Sequence, residues 1–354
     1  MTVREPRRHR PAVVLAATAI GLAMGSGYAE SRQGDAARAA SAAVNAQERG
    51  PGRGPGRGPG RGEPTVEQTD RVVRTLAIGA AGLLELRNLA GDITVTAAAG
   101  REARVEIVRR SRGRTEADAK LGLEHTRVTV DHKGERAMVV VEPGPDRRPP
   151  YFVTVAYTVS APAGTRITAS SLSGDVTVSD IKGEISALVT RGNVDIRRAS
   201  LVSAARTISG RVTLMDLNSE RGVVINALSG DVHLERVRAR RVEVDVTSGD
   251  VTLSAITSDT VRLASLSGSI EFASELMRGG RYQFKAHSGD IRIRLTGPTG
   301  VELQASTFRG SLRLDPSLKM TAPLESRGSV RGTVGDGAAT LEATTFSGDV
   351  EISR

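Results

Sequence analysis

One glycine-centred unit recurs through the second half of the chain and restricts the fold more than any other feature. From residue 174 a glycine returns at Gly174, Gly192, Gly210, Gly230, Gly249, Gly268, Gly289, Gly310, Gly328 and Gly348, at intervals of 18 to 21 residues. Two residues after each comes an aliphatic side chain: Val176, Val194, Val212, Val232, Val251, Ile270, Ile291, Leu312, Val330 and Val350. Four residues after it the pattern holds again, from Val178 and Ile196 to Leu314 and Ile352, and fails only at Gly332. Period-two alternation places such residues on one face of a strand. A second inward pair precedes the glycine by seven and five residues, as in Ile167/Ala169, Ile185/Ala187, Val223/Ile225, Val242/Val244, Val261/Leu263, Tyr282/Phe284, Leu303/Ala305 and Leu341/Ala343. The glycine between the two strands supplies the positive φ of a tight corner.

A unit of this size cannot bury its apolar face alone, so the units must stack on one another. The expected fold is all-β: a parallel β-solenoid (a single-stranded β-helix) of about ten coils over residues 165–354. At about 4.8 Å per coil it is a rod of roughly 50 Å. A β-propeller is disfavoured, because its blades need about 40 residues or more. Residues 70–164 alternate as strands do, for example at Leu84-Leu86, Ile93-Val95 and Val139-Val141. One short helix is expected from Thr115 to Leu123, with Thr115 as N-cap and Asp118 three residues on. Pro143 to Pro150 reads as a loop. This region is expected to be an N-terminal β-rich cap over the first coil.

The N-terminus reads differently. Arg4, Arg7, Arg8 and Arg10 precede an uncharged, mostly apolar run from Pro11 to Gly25, and Gly27-Tyr28-Ala29 follows. That order predicts a signal peptide over residues 1–29, since the run is shorter than the roughly 20 residues of a membrane span. Residues 30–69 are Ala- and Ser-rich and then read GPGRGPGRGPGRG from Gly50 to Gly62, a disordered linker. No later segment reads as a transmembrane span. The formal charge of +9 belongs mainly to these ends: Glu63 to Arg354 holds 39 basic and 36 acidic residues, a net of only +3. No nucleic-acid partner is therefore expected. The chain has no Cys, which excludes disulfides and thiolate chemistry.

The units LAGDITV (Leu89 to Val95), LSGDVTV (Leu172 to Val178), LSGDVHL (Leu228 to Leu234), TSGDVTL (Thr247 to Leu253) and FSGDVEI (Phe346 to Ile352) resemble the bacterial β-strand-repeat domains of unknown function called toast-rack or adhesin-like domains. The resemblance spans about Asp70 to Arg354. It implies a β-solenoid on an exported or membrane-linked protein, sometimes beside envelope-stress signalling components, and it brings no catalytic residues.

The position after each glycine holds Asp175, Asn193, Arg211, Asp231, Asp250, Ser269, Asp290, Ser311, Ser329 and Asp349. A carboxylate ladder for calcium, or a paired-acid site, competes here with Asx side chains bonding backbone N–H groups at a turn. Stacked carboxylates about 5 Å apart repel by about 1 kcal/mol even in water, which favours the turn. In sequence order only Asp231 and Asp250 fall on consecutive coils, with His233 outward beside them. They form the best pair for a glycosidase-like or lyase-like site. Few aromatics are available as sugar platforms, and several of those face inward. His125, His132, His233 and His287 lack ligand spacing, and His125 and His132 are expected at the surface. No catalytic, cofactor-binding or metal residue is assigned, and no cofactor is expected.

The expected function is that of an exported, non-enzymatic envelope or surface protein, periplasmic or extracellular. Its repeat face would be presented to an envelope protein or polysaccharide. The alternatives are a carbohydrate-active β-helix enzyme and an envelope-stress sensing component acting through a membrane partner. Because the chain stops two residues after Ile352, the Gly348 coil is expected to be the open end of the rod, and to form an end-to-end homodimer or dock a partner.

Overall fold

The computed structural model describes residues 66–145 and 149–354. The expected signal peptide and all but the last four residues of the expected linker lie outside the described residues. The described chain is all-β, with 25 strands in one hydrogen-bonded sheet and a single α-helix. Its repeat units pair in parallel and in register. Ile167 of β8 (Arg166–Ser173) lies beside Ile185 of β10 (Glu184–Arg191), and Val176 of β9 (Val176–Ser179) lies beside Val194 of β11 (Val194–Arg197). The same pairing carries Val194 to Val212, Val232, Val251, Ile270 and Ile291. Each of these side chains is essentially buried. Like residues therefore stack on like, and the inward positions form one continuous core. The unit around Gly210 shows no regular inward pair because the register shifts after Ile185: Ile185 meets Val202 and Ala187 meets Ala205, leaving Ser203 as the extra residue.

The glycines stand in one column. A Cβ at Gly230 would lie 2.0 Å from the carbonyl oxygen of Gly210, and the same approach links Gly91, Gly174, Gly192, Gly210, Gly230, Gly249, Gly268 and Gly289. Only a residue without Cβ tolerates that approach, and its φ lies between +113° and +158° along the column. The small inward residue three positions before the glycine helps to fix the corner. Thr207, Thr345 and Thr307 donate their hydroxyls to glycine carbonyls of the column, at 3.3, 3.0 and 2.9 Å.

Past Gly289 the spatial order departs from the sequence order. β24 (Ala339–Ser347) lies between β18 (Arg281–Ser288) and β20 (Val301–Arg309), and β25 (Val350–Ser353) lies between β19 (Ile291–Leu295) and β21 (Leu312–Leu314). The column accordingly runs Gly289, Gly348, Gly310. The Gly328 unit takes no place in it. Its residues form an antiparallel hairpin of β22 (Met320–Ser326) and β23 (Ser329–Val334), and β23 pairs antiparallel with the outer side of β20. The expected open end at the Gly348 coil is thus corrected: that coil is paired on both sides, and Ile352 is fully buried. The outermost rung is that of Gly310, where Leu312 and Leu314 are only half-buried.

At the other end, Leu84 and Leu86 of β2 (Leu83–Ala90) pair with both β8 and β6 (Arg136–Glu142). β3 (Ile93–Ala98) pairs with β9 and β7 (Tyr151–Pro162). β1 (Val66–Leu76), β4 (Ala103–Gly113) and β5 (Arg127–Lys133) complete this end through antiparallel pairs. The helix α1 (Glu116–His125) begins at the capping box: Asp118 N–H donates to Thr115 Oγ1 at 3.1 Å, and Thr115 N–H donates to Asp118 Oδ2 at 3.2 Å.

Two outcomes follow. Val251→Asp places an unpaired charge in the aliphatic column at a cost of several kcal/mol, so its thermal midpoint falls by many degrees. Deleting Leu341 to Arg354 removes an interior rung, with buried Leu341, Val350 and Ile352 at about 1.5 kcal/mol or more each besides Ala343, so the truncated chain loses its cooperative unfolding transition in circular dichroism.

Candidate functional site

Three outward columns flank the glycine corner, and they carry the chemistry of the surface. The first is the position after each glycine. Its side chains reach along the stack: Asp92 Oδ1 accepts from the backbone N–H of Asp175 at 2.9 Å, Asp175 Oδ1 from Asn193 at 2.7 Å, and Asn193 Oδ1 from Arg211 at 2.8 Å. The series resumes with Asp231 to Asp250 at 3.2 Å, Asp250 to Ser269 at 2.8 Å, Asp290 to Asp349 at 3.0 Å and Asp349 to Ser311 at 2.8 Å. The Asx side chain does bond a backbone N–H, but one on the neighbouring rung rather than in its own turn. Asp231 and Asp250 are not the single adjacent pair that the sequence order gives. The altered rung order adds Asp290 with Asp349, and the rung at Gly91 adds Asp92 with Asp175. The N–H bonds offset the repulsion between neighbouring carboxylates. At Asp349 this bonding, donated by Ser311, with Arg313 and Arg292 nearby, holds the carboxyl below the usual carboxylate range.

Around Asp231 and Asp250 the surface is an open depression lined also by Arg211, Thr213, His233 and Thr252. Both acids are exposed. Arg211 lies 3.5 Å from Asp231, and His233 faces Glu235 at 3.6 Å rather than either aspartate. Here the acids join rungs. Among the described residues no cluster of three or more His, Asp or Glu could hold a metal ion. His132 is exposed, but His125 is half-buried, with Nδ1 3.1 Å from the Tyr151 hydroxyl, and this corrects its expected surface position.

The second column lies six residues after the glycine: Asp180, Arg198, Asp216 and Arg236 on consecutive rungs, all at positive φ. Arg198 holds Asp180 by two bonds of 2.6 and 2.9 Å, and Arg236 holds Asp216 by bonds of 2.5 and 3.2 Å. Hydrogen bonds from these guanidinium groups hold both carboxyls below the usual range. Sequence reading missed this alternation, although aligning the units at that offset spells Asp-Arg-Asp-Arg.

The third column lies two residues before the glycine. In spatial order it reads Leu89, Leu172, Thr190, Ile208, Leu228, Thr247, Leu266, His287, Phe346 and Phe308. Apart from half-buried Leu89 and Thr190 these side chains are exposed: Leu172 47 %, Ile208 48 %, Leu228 52 %, Leu266 53 %, Phe346 44 % and Phe308 72 %. Beside Thr190 the next outward position supplies Leu188, also half exposed. His287, Phe346 and Phe308 stack face to face, with ring centroids 5.1 and 5.0 Å apart. At the opposite end Leu89 opens onto an apolar groove that also contains Val153 and the exposed Phe152. Tyr282, Phe272 and Phe284 do face inward, and among the described residues the outward faces carry only three exposed aromatic rings of Phe or Tyr, those of Phe152, Phe308 and Phe346. The signal was present in the leucine that opens LSGDV, an apolar residue at an outward position of its strand.

The two-carboxylate column predicts a specific acid response. A carboxyl with a depressed folded-state pKa stabilises the fold above its unfolded pKa of about 3.9, and that stability is lost as pH falls through the folded value. Asp180→Asn combined with Asp216→Asn therefore loses less thermal stability than the parent between about pH 4 and pH 2, as read by melts across that window. Asp231→Asn with Asp250→Asn leaves the unfolding free energy, read from denaturant melts, within about 1 kcal/mol of the parent, because Asn193 already makes the same inter-rung bond.

No curated protein matches the chain in sequence. Among solved structures the chain is similar in fold to a "putative adhesin" from Bacteroides fragilis, at 12 % identity and a TM-score of 0.41 over 80 % of this chain and 97 % of that one. It is likewise similar to a "putative lipid binding protein" and a "putative adhesin" from Parabacteroides distasonis, at 11 % and 9 % identity, each with a TM-score of 0.45 and the same coverages. The Toastrack DUF4097 profile matches residues 83–353, from the first leucine of β2 to the last residue of β25, and the chain belongs to the Toastrack family.

Proposed function

We propose that the protein is an exported, adhesin-like, non-enzymatic component of the cell envelope, periplasmic or at the cell surface. In this reading residues 1–29 direct export and residues 30–69 form a spacer. A cap over residues 70–164 supplies the rung at Gly91 and covers one end of a parallel β-solenoid, whose nine further rungs come from residues 165–354 and which presents a face to an envelope protein or polysaccharide. The exposed apolar column from Leu172 to Phe308 carries the proposal. Contiguous apolar surface of this extent marks contact sites on soluble proteins, whereas scattered exposed leucines do not. The neighbouring Asx column favours binding over catalysis, since its carboxylates are already engaged with backbone N–H groups.

Co-sedimentation of residues 30–354 with isolated envelopes tests the proposal. The parent chain pellets, and Leu228→Asp with Leu266→Asp stays in the supernatant with an unchanged thermal midpoint, since both side chains are outward. Incubation with acidic and neutral polysaccharides releases no reducing ends. Turnover that vanished in Asp231→Asn with Asp250→Asn would instead identify a carbohydrate-active enzyme.

A further inference from the structure

We infer that the apolar column is the interface between two copies of this chain, packed side by side along their rungs. The inference rests on the reading of that column as a contact surface and names a second copy of the chain, rather than the envelope partner, as what directly covers it; envelope binding then depends on the column through the paired form.

Area is the first argument. Half-exposed leucine and isoleucine side chains on five rungs, with Phe346 and Phe308, leave on the order of 600 Å² of contiguous apolar surface, taking about 200 Å² for a whole aromatic residue. That is the upper end of what a monomeric protein shows in its largest patch. It approaches the roughly 800 Å² per partner of a standard interface, with the Ser and Asx positions beside it left to form a polar rim.

Period is the second. The column offers one side chain per rung, and its own stacked rings record the step as 5.0 to 5.1 Å. A helix rises about 1.5 Å per residue and repeats every 5.4 Å, so it loses register with such a ridge over ten rungs. A second β-ladder of the same rung spacing keeps register along the whole length, and a second copy of this chain is such a ladder. The ridge is also self-matching when two copies run antiparallel. Thr190 then faces His287, Ile208 faces Leu266, and Phe308, the most exposed ring, meets the groove of Leu89 and Phe152.

The absence of cysteine from the whole chain makes the test direct. Sedimentation equilibrium at tens of micromolar should give the mass of a dimer, and Leu228→Asp with Leu266→Asp should weaken association by roughly a hundredfold or more. The milder Leu228→Ser with Leu266→Ser should weaken it in the same direction. A mixture of Leu228→Cys and Thr247→Cys chains, which face each other at the middle of the ridge, should oxidise to a covalent dimer, and Arg262→Cys, outward on another column, should not. A mixture of Thr190→Cys and His287→Cys chains should cross-link far better than either alone. A strict monomer, or a dimer indifferent to both leucine pairs, overturns the inference. If the monomer still pellets with envelopes in a Leu228- and Leu266-dependent way, the adhesin-like reading stands without it. A ridge-dependent dimer that ignores envelopes supports the pairing and sinks that reading.

Discussion

The contact on which the rest of the structure depends is glycine against glycine at the corner. Each column glycine sits where a Cβ would lie 2.0 to 2.3 Å from the neighbouring carbonyl oxygen, closer than any side chain permits. This approach brings successive rungs to ladder distance at the corner itself, where a turn would otherwise hold them apart. Once the corner is closed, the strands on either side fall into register, and the residues two and four positions beyond it must face the core.

Everything outward inherits the same register. A backbone N–H at the corner meets an Asx oxygen from the previous rung, so an interaction that would cap one turn in an isolated hairpin becomes a strap between turns. The alternating Asp180, Arg198, Asp216 and Arg236 arise in the same way, from single residues in four units that touch only when stacked. These pairs are half exposed and individually weak, and their contribution is to the order of rungs rather than to the depth of the core. The apolar ridge differs, because nothing in the described chain covers it. Its length follows from the number of rungs, and its straightness from their uniform step.

The two ends solve the problem of unpaired edges differently. The N-terminal end adds antiparallel strands and a helix with its own cap. At the C-terminal end the chain skips one position, builds the outer rung, covers β20 with a hairpin and returns to fill the vacant slot. The final strand is thereby paired on both sides, and the unpaired edges at this end are those of the three-residue β21 and of β22, the outer strand of the hairpin.

Much of this was legible in the sequence, because the determining interactions repeat at a readable interval. The column glycines, the aliphatic positions after them and the capping box at Thr115 each follow from local chemistry that residue types alone convey. The failure of the pattern at Gly332 was a true sign that the Gly328 unit is no rung. Tertiary structure alone decided which rungs are neighbours. Units that share one pattern can stack in any order, so the insertion of the Gly348 rung between Gly289 and Gly310 depended on the hairpin closing over β20. With that order came the pairing of Asp290 with Asp349 and the stacking of His287, Phe346 and Phe308. The expected export signal rests on the sequence alone, since residues 1–29 lie outside the described residues, whereas the ridge became visible only once ten separate outward residues were set side by side.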